Sequence, residues 1–311
     1  MRTKCRLSAI CSVIALSVAG LVSCGGGSSP NPSPGTVHFY TGSVNSPGQV
    51  FQFELPLKTQ AVPSVTLTVS NMNAIDALAV DASGNVAAAD FSGNVAIFNG
   101  PITAASTVSA TFKNGAATST GQLVFNSAGD LFATTNSNSI NVFTHPFTSA
   151  STPSQTITDV NLKVATGAAL DSNGNLIVAN APGTSSNLLV FAPPYTGPAV
   201  VTAVLPADSY RQMTISNGQL FVVNSVVGSS WVDVYNLPIT ASSTPAFRIT
   251  NGIFNAPSAP QSVAVDGGGI LYVEDEAHGN IDVYPPPLST NSAPSVSIVL
   301  NPSGPAIAIG K

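Results

Sequence analysis

The chain has 311 residues, of which 44% are hydrophobic and only 7% charged, against about 25% charged in an ordinary soluble protein. That balance excludes disorder driven by charge, and a formal net charge of −5 excludes a basic nucleic-acid surface. With 26 Gly and 24 Pro, the chain is rich in turns.

Arg2, Lys4 and Arg6 open the chain, and an apolar run from Leu7 to Val22 follows. The run is short for a spanning helix and reads as a secretory signal. Leu21-Val22-Ser23-Cys24 comes next and leads into Gly25-Gly26-Gly27-Ser28-Ser29. This stretch resembles a bacterial lipobox, in which the cysteine becomes the lipid-modified first residue of the mature protein. The resemblance implies a signal peptide over 1–23 and a lipid on Cys24. It also implies a location in the cell envelope, at the outer membrane or cell surface, since residue 25 is Gly and not Asp. The other cysteines, Cys5 and Cys11, fall within the signal, so the mature chain has no disulfide and no cysteine metal site. Loss of Arg2, Lys4 and Arg6 moves the formal charge from −5 to −8. Residues 24–34, made mainly of Gly, Ser, Pro and Asn, read as a flexible tether.

The remainder, 35–311, carries one pattern six times: an apolar alternation that ends in an aromatic and is followed by Pro. The aromatics are Phe53, Phe98, Phe143, Phe191, Tyr235 and Tyr284, at spacings of 45, 45, 48, 44 and 49. Within the second copy, 77–80, 85–89, 95–98 and 107–112 read as four strands, with Asp81-Ala82-Ser83-Gly84 as a turn. No helical period survives after residue 36. Four strands in about 45 residues, repeated, predict an all-β, six-bladed β-propeller with four-stranded blades. The first copy lacks an opening strand, and the last apolar run, 306–309, has no successor. Pairing of this C-terminal strand with the N-terminal blade would close the ring and remove two free edges.

The second copy, from Ala79-Val80-Asp81 to Gly93-Asn94-Val95-Ala96-Ile97-Phe98, resembles an NHL repeat, as does Ala264-Val265-Asp266 to Tyr284. The basic residue frequent before the third strand of such repeats is missing here. The resemblance therefore implies the fold without an RNA-binding role.

Strand direction places two polar rings at one end of the channel. Strand-two ends give Thr41, Asp90, Thr135, Asn180, Asn224 and Asp275, and strand-one starts give Asp76, Gly121, Thr166, Arg211, Gln261 and Pro305. From these, Asp76, Asp90, Asn180, Arg211, Asn224 and Asp275 are the candidate ligand residues, because a concave mouth with converging polar groups is the default site. Each strand-two end has a structural alternative, in which its side chain holds the backbone of the next loop. Asp81, Asp171 and Asp266, with Asn126 and Ser216 in the same place, are expected to cap turns at the other end. The oxygens of Asp90, Asn180, Asn224 and Asp275 suit a hard cation such as Ca²⁺. In that respect the set is similar to calcium-dependent lactonase propellers, although those use a glutamate where Thr41 stands. Glu274-Asp275-Glu276 reads as a solvated acidic loop, and Trp231 as core or rim packing or a ligand platform. His38, His145 and His278 lie in different blades without metal-ligand spacing, and no catalytic elbow, phosphate loop or dinucleotide fingerprint is present.

The first functional expectation is a monomeric, non-enzymatic envelope lipoprotein. Its propeller binds protein or glycan, with no cofactor and no nucleic acid. The alternative is a metal-dependent hydrolase or lactonase-like enzyme with its site at the mouth.

Overall fold

The computed structural model describes residues 36–311 apart from 118, 184–185, 203–209, 227–228, 253–258, 276–278 and 301–303. The signal, Cys24 and the tether lie outside the described residues, as do Glu276 and His278.

Every element among the described residues is a strand, and the 24 strands form six four-stranded antiparallel sheets. Blade 1 contains β1 (His38–Gly42), β2 (Gly48–Glu54) and β3 (Val65–Val69), and blade 2 contains β4 (Ile75–Val80), β5 (Val86–Asp90), β6 (Asn94–Phe98) and β7 (Val108–Lys113). Blade 3 runs through β8 (Leu123–Phe125), β9 (Leu131–Thr134), β10 (Ile140–Phe143) and β11 (Gln155–Ile157). Blade 4 runs through β12 (Ala165–Leu170), β13 (Leu176–Asn180), β14 (Asn187–Phe191) and β15 (Val200–Val201). Blade 5 has β16 (Tyr210–Ser216), β17 (Gln219–Asn224), β18 (Trp231–Asn236) and β19 (Phe247–Ile249). Blade 6 has β20 (Pro260–Val265), β21 (Leu271–Asp275), β22 (Asn280–Tyr284) and β23 (Val296–Val299), and β24 (Ile307–Gly310) ends the chain.

Closure follows the predicted pairing. β24 lies against β1, with Phe39 opposite Ile309 and Thr41 opposite Ile307, and so supplies the inner strand of blade 1. Alternate residues of each strand face the two neighbouring blades, so the apolar side chains gather in six seams. Each seam takes one repeat aromatic, from Phe98 between blades 1 and 2 round to Phe53 between blades 6 and 1. The six aromatics are all essentially inaccessible to solvent. The repeat prolines Pro56, Pro101, Pro146, Pro194, Pro238 and Pro287 each follow a cis peptide bond.

The turns at one end behave as Asp-x-x-Gly predicts. Asp81 Oδ1 accepts the Ser83 and Asn85 N–H groups at 2.8 Å each, and Asp171, Asp266 and Asn126 repeat the arrangement. Ser216 departs from the expectation. It pairs with Gln219 across a two-residue turn whose central residues, Asn217 and Gly218, have φ of 51° and 74°. Positive φ at both positions is the geometry of a type I′ hairpin, which closes without a capping side chain.

Candidate functional site

The inner strands of four blades carry an extra residue just where they start. The ladder slips between Ile75 and Ala77, between Ala165 and Gly167, between Tyr210 and Met213, and between Pro260 and Ser262. These β-bulges leave Asp76, Thr166, Arg211 with Gln212, and Gln261 outside the pairing, and a bulge re-aims the side chain it frees. The result is a cup of about 60 Å³ at the end of the channel, lined by Asp76, Gly121, Asn136, Thr166, Arg211, Gln212, Gln261 and Pro305. All six strand-one starts are on that wall. A Cβ on Gly121 would run into Asn136 Oδ1 and the Thr166 carbonyl, so glycine there keeps the cup open.

The cup has a floor. Gln212, nearly buried, donates through Nε2 to the carbonyls of Asp76 (3.0 Å) and Gly121 (3.1 Å). Its Oε1 accepts the Ser262 hydroxyl at 2.8 Å, and Ser262 Oγ in turn accepts the Ile307 N–H at 3.0 Å. Gln122 Oε1 accepts the N–H groups of Ala168 (2.9 Å) and Met213 (3.0 Å), while its Nε2 donates to the Met213 carbonyl at 2.6 Å. These three side chains tie the inner strands of all six blades together. They fit because blades 1, 2 and 4 place only Ala306, Ala77 and Gly167 at the same level. Beyond the floor, a second cavity of about 210 Å³ is lined by all six inner strands from Leu78 to Ile309. The channel is therefore divided.

The strand-two ends take the structural role. Asp90 is fully buried, and its Oδ1 accepts the Ser92 and Asn94 N–H groups at 2.9 Å each. Its Oδ2 accepts Asn73 N–H (3.1 Å) and Asn94 Nδ2 (2.7 Å). Asn180 Oδ1 accepts Lys163 and Val164 N–H, and its Nδ2 donates to Asn161 O and Asn187 Oδ1. Asp275 Oδ1 accepts Ala259 N–H at 2.8 Å, and Thr135 bonds within its own turn. Asp90, Asn180 and Asp275 each hold the connection that enters their blade, whereas Thr135 holds the turn that follows it. Asn224 occupies the same position in blade 5 and is fully buried; neither its Oδ1 nor its Nδ2 has a partner among the described residues, and the connection it would hold, 203–209, lies outside them.

Of the six candidates, then, Asp76 and Arg211 share the cup. Asp90, Asn180, Asn224 and Asp275 stand on four separate blades and do not line it. A cation needs acceptor lone pairs free of donors. Asp90 Oδ1, Asp90 Oδ2, Asn180 Oδ1 and Asp275 Oδ1 already receive N–H groups, and with Asn224 they end strands of four separate blades, so this set does not fit one Ca²⁺. Among the described residues no group of three or more His, Cys, Asp or Glu side chains comes together. Glu274 and Asp275 are fully buried and not part of a solvated loop, because they end β21, which lies between β20 and β22. Trp231 is a rim residue: Arg248 lies 4.7 Å over its ring, and both bond to the buried Asp233, Trp231 Nε1 at 2.9 Å and Arg248 Nε at 2.6 Å.

The sequence reading missed Asn136 and the three floor residues. Gln122, Gln212 and Ser262 each stand one place inside a mouth residue, at a level where the other blades have Ala or Gly. That contrast was the available signal.

Solved structures share this architecture at low identity. A chain of the nidogen/laminin complex matches with a TM-score of 0.67 at 15% identity, over 88% of this chain and 98% of that one. The periplasmic gluconolactonase of Pseudomonas aeruginosa matches at 0.61 and 12%, over 84% of this chain and 82% of that one. Hydrazine synthase of Kuenenia stuttgartiensis matches at 0.57 and 13%, over 76% of this chain and 70% of that one. No family model matches the sequence, and no curated protein matches it. The chain is a six-bladed β-propeller, with structural neighbours of both binding and lactonase type.

Proposed function

We propose that this protein is a non-catalytic binding scaffold of the cell envelope, anchored by a lipid on Cys24, whose mouth face takes up protein or glycan. The observation that carries the reading is the floored cup. Sites that engulf small molecules run to about 300–1,000 Å³, whereas this mouth offers about 60 Å³ above a hydrogen-bonded floor. A ligand meets it as a surface with one shallow polar recess. The neighbour from the nidogen/laminin complex belongs to a protein–protein assembly, which is in keeping with that use.

The test is a lactonase assay on the purified full chain, with δ-gluconolactone and with added Ca²⁺ or EDTA. The expected result is hydrolysis no faster than buffer. A calcium-dependent rate that D76N or R211Q abolishes would overturn the proposal in favour of the enzyme. Anchoring is read separately by metabolic labelling with a fatty-acid analogue. Wild type should take up label and C24A should not; equal labelling of the two would remove the lipid from the account.

A further inference from the structure

Blade 5 differs from its neighbours at the mouth. Its inner strand frees two residues, Arg211 and Gln212, where β4, β12 and β20 free one each. Gln212 turns into the floor, and Arg211 lines the cup. Among the described residues the Arg211 Nε, shielded from solvent, has no hydrogen-bond partner, and Arg211 forms no ion pair.

A buried polar atom without a partner costs about 1–3 kcal/mol, and more when charged. A guanidinium N–H left so, beside a polar recess, marks a place for an acceptor. A guanidinium selects planar oxyanions, which it can engage through paired N–H donors. A cup of about 60 Å³ has room for one carboxylate or a few waters. The rest of the wall is neither apolar nor cationic. Asn136, Thr166 and Gln261 present neutral amide and hydroxyl groups, and Asp76 a carboxylate. Such groups exchange hydrogen bonds with hydroxyls, which an acidic protein side chain lacks and a sugar acid carries beside its carboxylate.

We propose that the mouth is a carboxylate site for polyhydroxylated acids. The ligand is a sugar acid, either free or as a uronate residue at the end of an acidic glycan, with its carboxylate on Arg211. This rests on the glycan-binding reading given above.

The experiment is calorimetric titration of the full chain with galacturonate, trigalacturonate, galactose and an acetylated Glu-containing tripeptide. Saturable binding of galacturonate or trigalacturonate is expected, with galactose weaker by about tenfold or more. A monomer that binds as well as the trimer identifies a free acid as the source; a trimer that binds better identifies a glycan end. R211Q should lose about tenfold or more with its melting temperature retained. R211K, which keeps the charge without the fork, should fall between the two. Should R211Q fail to fold, the wild-type salt dependence decides, since an ion-paired carboxylate weakens as NaCl is raised. Equal affinity for galactose and galacturonate overturns the carboxylate while leaving a saccharide site standing. Binding of the tripeptide alone overturns the saccharide while leaving a binding scaffold. Absence of binding to any of the four, or an affinity unchanged in a folded R211Q, overturns the site.

Discussion

At the scale of single residues, the molecule spends its few charges on backbone. Asp90 receives three backbone N–H groups and one side-chain amide while fully buried. Its truncation to Ala strands those donors. Asp90→Ala should therefore cost about 3 kcal/mol, a fall of about 6–12 °C in melting temperature at this size. Asp90→Asn should cost less, because its amide oxygen still accepts, but not nothing, because its Nδ2 faces at least one backbone N–H that the carboxylate accepts. Calorimetry of the two variants measures the difference. The buried phenols set a second expectation. Burial pushes the Tyr40 hydroxyl up from 10.0 to about 12, and burial together with Asp266 and Asp282 raises Tyr272 and Tyr284 as well. Below pH 10 both folded and unfolded chains keep these protons. Above it the unfolded chain loses them first, so stability should fall as pH rises from 10 towards 12. A denaturant midpoint that holds flat across that window contradicts the argument.

At the scale of strands, repetition made the fold readable. A residue that recurs every 44 to 49 positions states its place in every blade, so strands and closure could both be inferred from the repeat. Position within the repeat also identified the cup, since all six strand-one starts line it. The choice of ligand residues was less legible, for a physical reason. A polar side chain at a strand end has the same sequence signature whether it holds a loop or a ligand, and Asp90, Asn180 and Asp275 hold loops. The buried Glu274 escaped because an acidic triplet looks solvated until its strand is known to be central. Closure yields the prediction at this scale. β24 pairs along His38 to Thr41, and Tyr40 donates its hydroxyl to the Lys311 carbonyl at 3.0 Å. Removal of residues 305–311 bares the edge of β1 and opens the seam between blades 6 and 1. The truncated chain should lose its cooperative melt and aggregate; a sharp transition near the wild-type temperature would show that closure is dispensable.

At the scale of the whole propeller, the floor is the only set of side chains described above that touches every blade. Gln212 reaches blades 2, 3 and 6, and Gln122 reaches blades 4 and 5. None of this could be seen along the chain, since Gln122 and Met213 lie 91 residues apart. Gln212→Ala should cost about 2 kcal/mol, or about 4–8 °C, and let water pass between the two cavities. Hydrogen exchange of the Ala168, Met213 and Ile307 amides checks it. Faster exchange is expected at Ile307, where Ser262 loses its partner, while Ala168 and Met213, held by Gln122, should change little. Uniform acceleration at all three would mean that the ring loosens as one body.

The pairing of His38 with Gly310 has a last consequence. It puts the entry of the chain, at Thr36, and its final residue, Lys311, at the end away from the cup, where Thr41 meets Ile307. A partner or a surface coupled at Lys311 therefore meets the face opposite the mouth and leaves the cup open.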